Sequence, residues 1–246
     1  MDRRWRIGAV SYLNTRPLLL GIEQSDLMQS IELIKDYPAK IAQDLIDGSI
    51  DIGLVPVAVI PLLKEAHLVS GYCIGAEGPV ASVCLFSEVP MDQIKRVYLD
   101  YQSRTSVALV RILLAKFWQK GVEFIKAEEG YIDHIKGETA GVIIGDRALA
   151  ARAHFSHIYD LAEAWVKYTG KPFVFATWIA NKPIPDHFMA AFDKANAVGL
   201  ENLEQVIKAI PLAEQVYDLH TYYTQNISYL FTPEKKEGME LFLKAL

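Results

Sequence analysis

Short apolar runs and amphipathic stretches alternate along the first quarter of the chain. The run 6–10 predicts a buried strand, and Pro17 suits the first turn of the helix that follows it. Strands are also predicted over 31–35 and 50–56, with an amphipathic helix over 39–47 between them. This β-α-β-α-β order is typical of a parallel sheet.

A second set of βα units is predicted farther along the chain. Strands over 97–99 and 141–144 flank a helix over 104–119, whose apolar positions recur at helical spacing and give it one buried face. A strongly β run at 172–178 follows, and we predict that it leads back towards the first set of strands. The remainder, 185–246, has a helical pattern, and we predict helices there.

Two sets of βα units joined by one outward and one returning connection predict an α/β protein with two lobes. We place the first lobe at residues 1–88 together with 174–246, and the second lobe at 89–173. Ligands commonly bind in the cleft between two such lobes. We therefore expect a ligand cleft where the two lobes meet.

Polar side chains follow the first predicted strand at the point where it ends. Ser11, Asn14 and Thr15 come there, and Ser82 lies in an otherwise apolar strand predicted over 81–87. Because ligand sites in open α/β sheets lie at the carboxyl ends of strands, Asn14 and Ser82 are expected to line one wall of the cleft. Asn and Thr before a helix are also ordinary caps, and a serine can be tolerated in a core, so the residues alone leave both interpretations open.

Hydroxyl side chains also mark the start of the helix predicted over 104–119. Ser103 is the predicted N-cap, and Thr105 and Ser106 lie in the first turn. Free N–H groups, the positive end of the helix dipole and three hydroxyls suit a carboxylate. These three residues are expected to line the other wall of the cleft, and Asp146, which follows the end of a later strand, is expected to lie there with them. Ordinary capping would explain each of these residues equally well.

The composition is that of an ordinary globular protein, with 51% hydrophobic and 22% charged residues among 246. The net charge is −5 and no dense run of Lys and Arg occurs, so nucleic-acid binding lacks its usual electrostatic basis. No apolar stretch reaches the ~18 residues of a membrane span, and no segment near the start has the pattern of an export signal. We therefore expect a cytoplasmic protein that binds neither nucleic acid nor membrane.

The cysteine, histidine and glycine patterns do not indicate a cofactor. Cys73 and Cys84 lack the spacing of a metal or disulfide motif, and His154 and His157 have no third ligand nearby in the sequence. Dinucleotide, P-loop, zinc-protease and nucleophile-elbow motifs are absent. We predict a small carboxylate ligand and no metal or nucleotide cofactor. This reasoning leaves open a binding protein or an enzyme that acts mainly by orienting its substrate.

Segment 10–18, Val-Ser-Tyr-Leu-Asn-Thr-Arg-Pro-Leu, resembles the opening signature of the chorismate dehydratase family, which acts first in the futalosine route to menaquinone. Further segments match that family in order along nearly the whole chain: 50–57, 78–83, 103–109, 144–146, 169–176 and 226–227. Segment 160–165 departs from the family pattern Asp-Leu-Gly-Glu-Glu-Trp at Ala162 and Ala164. No polar role is therefore carried over to Ala164.

The resemblance implies the type II periplasmic-binding-protein fold and the removal of water from chorismate, giving 3-[(1-carboxyvinyl)oxy]benzoate. Chorismate would be the small-molecule substrate, and no cofactor is implied. Asn14 and Ser82 are the implied catalytic residues, and the base is either a carboxylate of the substrate or Asp146. The implied substrate-binding residues are Ser11, Thr15, Ser103, Arg104, Thr105, Ser106, Gly145 and Asp146.

Other functions stay open from the sequence. The sister enzyme 1,4-dihydroxy-6-naphthoate synthase shares the fold but matches the opening signature less well. A non-catalytic carboxylate receptor would be expected to carry an export signal or a lipoprotein cysteine, and a ligand-sensing domain would be expected to follow a DNA-binding region. The sequence does not indicate the oligomeric state.

Overall fold

The computed structural model describes residues 4–246, which form two mixed sheets surrounded by helices. The strands are β1 (Trp5–Val10), β2 (Ile31–Asp36), β3 (Ile52–Pro56), β4 (His67–Ala76), β5 (Val83–Ser87), β6 (Arg96–Leu99), β7 (Glu123–Lys126), β8 (Thr139–Ile144), β9 (His157–Asp160), β10 (Phe173–Ala180) and β11 (Ser228–Leu230). The helices are α1 (Arg16–Gln24), α2 (Pro38–Ile46), α3 (Thr105–Lys116), α4 (Gly145–Ala151), α5 (Leu161–Thr169), α6 (Asp186–Glu201), α7 (Leu203–Ala209), α8 (Leu219–Thr221) and α9 (Pro233–Lys244). Within residues 4–246, no helix combines the length and apolar character needed to cross a membrane.

The first sheet has the strand order β11-β4-β10-β3-β1-β2. Its strand β1 pairs in parallel with β2 and β3, whereas β10 runs antiparallel to both β3 and β4. Every residue of β3 is buried, which explains its continuous apolar run, because a strand covered on both faces needs no polar alternation. The carboxyl ends of β1 and β3 consequently lie side by side at one end of the sheet.

The second sheet has the order β7-β6-β8-β5-β9 and repeats the plan of the first. Strand β6 pairs in parallel with β7 and β8, and β5 runs antiparallel to both β8 and β9. In each sheet one antiparallel strand, β10 in the first and β5 in the second, adjoins three parallel strands. The chain passes from one sheet to the other between β4 and β5, and again between α5 and β10.

The strand pairing shifts one boundary of the predicted lobes. The sequence pattern places residues 83–87 in the first lobe, but as β5 they pair within the second sheet, so the outward crossing comes before Val83. A fully buried apolar strand carries no local signal of the sheet that it joins, which is why the sequence did not indicate this. With this boundary moved, the division into two lobes stays a prediction. Residues 1–3 of the first lobe lie outside the described part of the chain.

The prediction of an all-helical C-terminal region is wrong at β11. This strand pairs with the edge of β4 and follows a π-helical turn, Tyr222–Asn226. The fully buried side chain of Lys235 supports it, since its Nζ donates to the carbonyl oxygens of Ser228 and Leu230 at 3.1 and 2.6 Å. A three-residue strand held by the side chain of a lysine in the next helix is too short to give a periodic pattern of its own.

Close packing of α1 against α6 fixes the start of α1 beside the first sheet. A Cβ on Gly199 of α6 would lie 1.7 Å from the carbonyl oxygen of Pro17, so only glycine permits this approach. Pro17 is the second residue of α1, and α1 follows directly after a short 3₁₀ turn, Leu13–Thr15, that begins beyond the end of β1. The helix contact therefore helps to hold this polar turn in place.

Candidate functional site

A small cavity lies between the two sheets, where the carboxyl ends of their parallel strands face each other. Its volume is about 50 Å³. Predicted site residues from both lobes line it, namely Asn14, Thr15, Ser103, Thr105, Ser106 and Gly145. Apolar side chains complete the walls, among them Leu54, Ile74, Val83, Ile144 and Phe175. No charged side chain of the described residues belongs to this lining.

The turn that carries Asn14 is fixed through its backbone rather than through its side chains. The backbone N–H of Leu13 donates to Asp146 Oδ1 at 3.0 Å, and the Leu13 carbonyl accepts from the hydroxyl of Tyr223 at 3.0 Å. The Asn14 carbonyl accepts from the hydroxyl of Tyr229 at 2.9 Å. These three bonds leave the side chain of Asn14 available to the cavity.

The amide of Asn14 has its oxygen occupied and its nitrogen available. Its Oδ1 accepts from the hydroxyl of Thr15 at 3.0 Å. Its Nδ2 donates to no other residue among 4–246. A neighbouring hydroxyl thus fixes the orientation of the amide, so that the NH₂ group, which carries two donors, is presented to a ligand.

The start of α3 forms the opposite wall of the cavity. The residue directly before α3 is Arg104 and not the predicted cap Ser103, which lies one position earlier. Ser103 Oγ still accepts from the backbone N–H of Ser106 at 3.0 Å and so satisfies a free donor of the first turn. Thr105 Oγ1 accepts from the backbone N–H of Ala58 at 3.2 Å. In both cases the hydroxyl oxygen accepts, so its hydrogen stays free to donate. Together with the positive helix end, these hydroxyls give a site suited to a carboxylate.

Buried Asp100 ties together the strand ends beneath this wall. Its carboxylate accepts from the backbone N–H groups of Gln102 at 2.9 Å and Ile144 at 3.2 Å, and from the hydroxyl of Tyr131 at 2.9 Å. Arg147 adds an ion pair at 2.8 Å. The loop that follows β6 and the end of β8 are therefore fixed relative to each other, and both contribute to the cavity.

Tyr12 and Gly145 bring the two lobes into direct contact at the cavity. Gly145 has a φ of +64°, and a Cβ there would lie 2.8 Å from the ring of Tyr12. The hydroxyl of Tyr12 donates to Oε1 of Gln102 in the second lobe. Glycine is thus required at position 145 both by its backbone conformation and by the approach of the tyrosine ring.

The cavity is closed in this structure. Small-molecule pockets measure about 300–1,000 Å³, several times the volume found here, so a ligand requires the lobes to separate or side chains to move. Hydrogen bonds between the first and second lobes cross the cleft: Tyr12 to Gln102 Oε1, Leu13 N to Asp146 Oδ1, Ala58 N to Thr105 Oγ1, and Arg104 Nη2 to Gln43 Oε1.

Asp146 lies beside the cavity without lining it. Burial raises its pKa from 3.8 to about 6, although the N–H of Leu13 and the nearby charge of Arg16 act in the opposite direction. Its carboxylate therefore changes charge close to neutral pH. Because both of its oxygens lie within 3.3 Å of the Leu13 nitrogen, the group bridges the lobes behind Asn14.

Three other predicted site residues lie away from the cavity lining. Ser82 is fully buried, and its Oγ accepts from the hydroxyl of Tyr222 at 2.7 Å. Ser11 is exposed, and Arg104 reaches out to Gln43 of α2. The catalytic role of Ser82 and the binding roles of Ser11 and Arg104 stay predictions. None of the three lines the cavity, so each can act on a ligand only through other residues.

Sequence reasoning missed several residues that shape the site. Tyr12 lies within the opening signature, which marked it as a residue near the site, but nothing in the sequence indicated its hydrogen bond to Gln102 in the second lobe. Tyr222, Tyr223 and Tyr229 belong to a region predicted as helical and gave no signal at all. Their roles come from contacts at long range along the chain. Within residues 4–246, no group of three or more His, Cys, Asp or Glu side chains could hold a metal ion.

Two sheets of matching strand order, joined by two crossings and separated by a cavity, define the class of periplasmic-binding-protein-like folds. A structural-genomics protein from Archaeoglobus fulgidus is similar, with a TM-score of 0.74 and 11% identity over 99% of this chain and 97% of that one. The periplasmic aliphatic sulphonate binding protein of Escherichia coli has a TM-score of 0.63 and 15% identity over 99% and 93% of the two chains. The predicted bilobed α/β fold is confirmed.

The comparison of sequences gives a narrower assignment. The family model described as menaquinone biosynthesis matches residues 5–246, and the chain belongs to this family. A chorismate dehydratase from Thermus thermophilus is 27% identical over 267 aligned residues, which cover 99% of this chain and 96% of the relative. The resemblance predicted from the sequence motifs is confirmed.

Proposed function

We propose that this protein is an enzyme that dehydrates chorismate to 3-[(1-carboxyvinyl)oxy]benzoate. The reaction removes the proton from C3 and the hydroxyl from C4 and leaves an aromatic ring and one water. It neither oxidises nor reduces the substrate, so it needs no redox partner. Membership of the menaquinone-biosynthesis family and full-length similarity to a chorismate dehydratase support this proposal.

One structural observation carries the proposal. Asn14, from the signature segment of the first lobe, and Thr105 and Ser106, from the second, line the same cavity. Each is an uncharged hydrogen-bond donor, and the walls between them are apolar. A ring with oxygen substituents at its edge matches this arrangement, because the apolar walls contact the ring faces and the donors meet the substituents.

The roles of these residues follow from their contacts. The start of α3, with the hydroxyls of Ser103, Thr105 and Ser106, receives one carboxylate of chorismate. The free Nδ2 of Asn14 donates to the departing C4 hydroxyl or to the other carboxylate and holds the ring in position. Since aromatisation drives the elimination, orientation and the exclusion of water are the main contributions required of the protein.

The position of Asp146 favours a carboxylate of the substrate as the base. Both oxygens of Asp146 contact the Leu13 nitrogen, and Asp146 does not line the cavity. A base must come within hydrogen-bond reach of the proton that it removes. Replacing Asp146 with Asn tests this assignment. An unchanged pH profile of kcat excludes Asp146 as the base, whereas loss of the acidic limb, on which kcat rises with pH as the base deprotonates, establishes it.

Incubation of the purified protein with chorismate, followed by mass spectrometry, tests the function. The expected product differs from chorismate by the loss of one water. Asn14→Ala should lower kcat/KM by about 100-fold or more, as is typical when a positioning or charge-stabilising donor is removed. Asn202→Ala, at an exposed amide that ends α6, is the matched control and should retain full activity. Binding of chorismate without product formation would instead indicate a non-catalytic receptor.

A further inference from the structure

A polar cluster lies behind the ring of Tyr12 at one end of the cavity. The Tyr12 hydroxyl and Nη2 of Arg147, the latter at 3.0 Å, both donate to the same atom, Oε1 of Gln102. Tyr12 comes from the first lobe, and the other two residues come from the second. A single neutral carbonyl oxygen therefore accepts from a phenol and a guanidinium where the lobes meet.

This donor pair is better suited to a carboxylate than to an amide. Hydrogen bonds between a guanidinium and an ionised oxygen are stronger than those to a neutral one, and the planar fork of arginine fits a carboxylate with two parallel bonds. Among residues 4–246, the hydrogen bonds of Arg147 all use Nη2. Its Nη1 and Nε groups thus keep donor capacity for a further partner.

Asp100 holds Arg147 in place for such a partner. Arg147 Nη2 contacts both oxygens of Asp100, at 3.0 and 2.8 Å, and the side chain of Asp100 is completely buried. The side chain of Gln102 is less restrained, because its other polar atom donates only to the hydroxyl of exposed Tyr101 at 3.1 Å. Gln102 can therefore swing aside while the guanidinium stays fixed.

The cavity has a place for one carboxylate and lacks a charged partner for a second. The start of α3 serves the first, while no Lys or Arg among the described residues lines the cavity. Chorismate and its dehydration product each carry two carboxylates, and in this respect the inference rests on the proposed function. Tyr12 is the residue that joins the cavity to the partly buried guanidinium of Arg147.

We propose that Tyr12 and Arg147 form the subsite for the enolpyruvyl carboxylate, and that the side-chain oxygen of Gln102 competes with that carboxylate for the same two donors. Ligand binding displaces the Gln102 amide and thereby enlarges the cavity at this end. Gln102 then sets the affinity for dicarboxylates over monocarboxylates. It is a specificity residue and not a closing contact that the ligand needs.

Calorimetric binding to the full chain tests this proposal with two ligands. The first is 3-[(1-carboxyvinyl)oxy]benzoate, and the second is 3-ethoxybenzoate, which lacks the enolpyruvyl carboxylate. Gln102→Ala should raise the affinity for the dicarboxylate threefold or more, because it removes the competitor. Gln102→Glu should lower it at least tenfold, because a resident carboxylate takes both donors. Tyr12→Phe should also lower it about tenfold, and none of the three variants should change monocarboxylate affinity more than twofold.

Several results would overturn the subsite. A loss of dicarboxylate affinity in Gln102→Ala would make Gln102 a necessary closing contact, and equal changes for both ligands would remove any link to the second carboxylate. Failure of the wild type to bind the dicarboxylate would also refute it. Thermal melts of each variant verify folding, and none of these changes removes the Arg147–Asp100 pair.

Turnover of chorismate by the wild type separates this proposal from the proposed function. If the wild type forms product but the variants do not distinguish the two ligands, the subsite fails and the enzymatic function stands. If the wild type forms no product but the variants show the expected pattern, the function fails and the dicarboxylate subsite stands. The sign of the Gln102→Ala effect decides the subsite in either case.

Discussion

Gly145→Ala should destabilise the protein through two effects that the structure separates. The φ of +64° is unfavourable for alanine, which costs about 1–2 kcal/mol. The new Cβ would also lie 2.8 Å from a ring atom of Tyr12, and this ring cannot move freely because its hydroxyl is bonded to Gln102. With about 1–2 kcal/mol for this overpacking, we expect the free energy of unfolding to fall by about 2–4 kcal/mol.

Gly170→Ala is the matched control for this change. Gly170 has a φ of +70° at the end of α5, and a Cβ there would meet no atom within 4 Å. It should therefore show the backbone cost alone. Urea denaturation followed by circular dichroism measures both variants, and the difference between them reports the contact with Tyr12.

A double variant sharpens the measurement. Adding Tyr12→Ala to Gly145→Ala removes the clash, so the combined loss of stability should be smaller than the sum of the two single losses. The reasoning is refuted if Gly145→Ala costs no more than Gly170→Ala, or if the double variant is simply additive. Either result would mean that Tyr12 does not pack against position 145 as the structure has it.

The remaining predictions concern buried polar groups. Because burial raises the pKa of Asp146 from 3.8 to about 6, the folded protein loses stability on the order of 3 kcal/mol as the pH rises through 6 and the carboxyl group ionises. Asp146→Asn should remove this loss and flatten the dependence of Tm on pH. Parallel curves for the wild type and the variant would contradict this. Tyr222→Phe should lower the free energy of unfolding by about 1–2 kcal/mol in a urea titration, because Ser82 loses its donor, and an unchanged midpoint would argue against that bond. Lys235→Met should lower the free energy of unfolding by about 3 kcal/mol and speed amide exchange in β11, whereas Lys236→Met, at an exposed position, should change it by less than about 0.5 kcal/mol. Equal effects of the two variants would contradict the proposed support of β11 by buried Lys235.

Much of the fold and one part of the site could be predicted from local pattern. Asn14 follows an apolar strand and precedes a helix with proline in its first turn, and Thr105 lies in the first turn of a strongly apolar helix. Both features depend on a few consecutive residues of the chain, and both side chains line the cavity. Strand ends and helix starts are local, so sequence alone can place them.

The residues that sequence reasoning missed depend on contacts between distant segments. Gln102 accepts from Tyr12 across 90 positions of the chain, and Tyr222 donates to Ser82 across 140. No periodicity or spacing marks such pairs, because each joins segments that lie far apart along the chain. The prediction that residues 83–87 belong to the first lobe was wrong for a related reason, because a buried apolar strand has the same sequence pattern in either sheet.

The uncharged lining of the cavity has a consequence for the proposed reaction. Chorismate and its product carry the same two carboxylates, so a cluster of cations in the cavity would bind both tightly and slow the release of product. Hydroxyls and an amide bind a carboxylate more weakly than a guanidinium does. The elimination itself is driven by aromatisation, so strong electrostatic stabilisation is not the chief requirement. The cavity orients the ring with neutral donors, and its cation, Arg147, lies at the edge behind Tyr12. This arrangement therefore suits both turnover and the release of product.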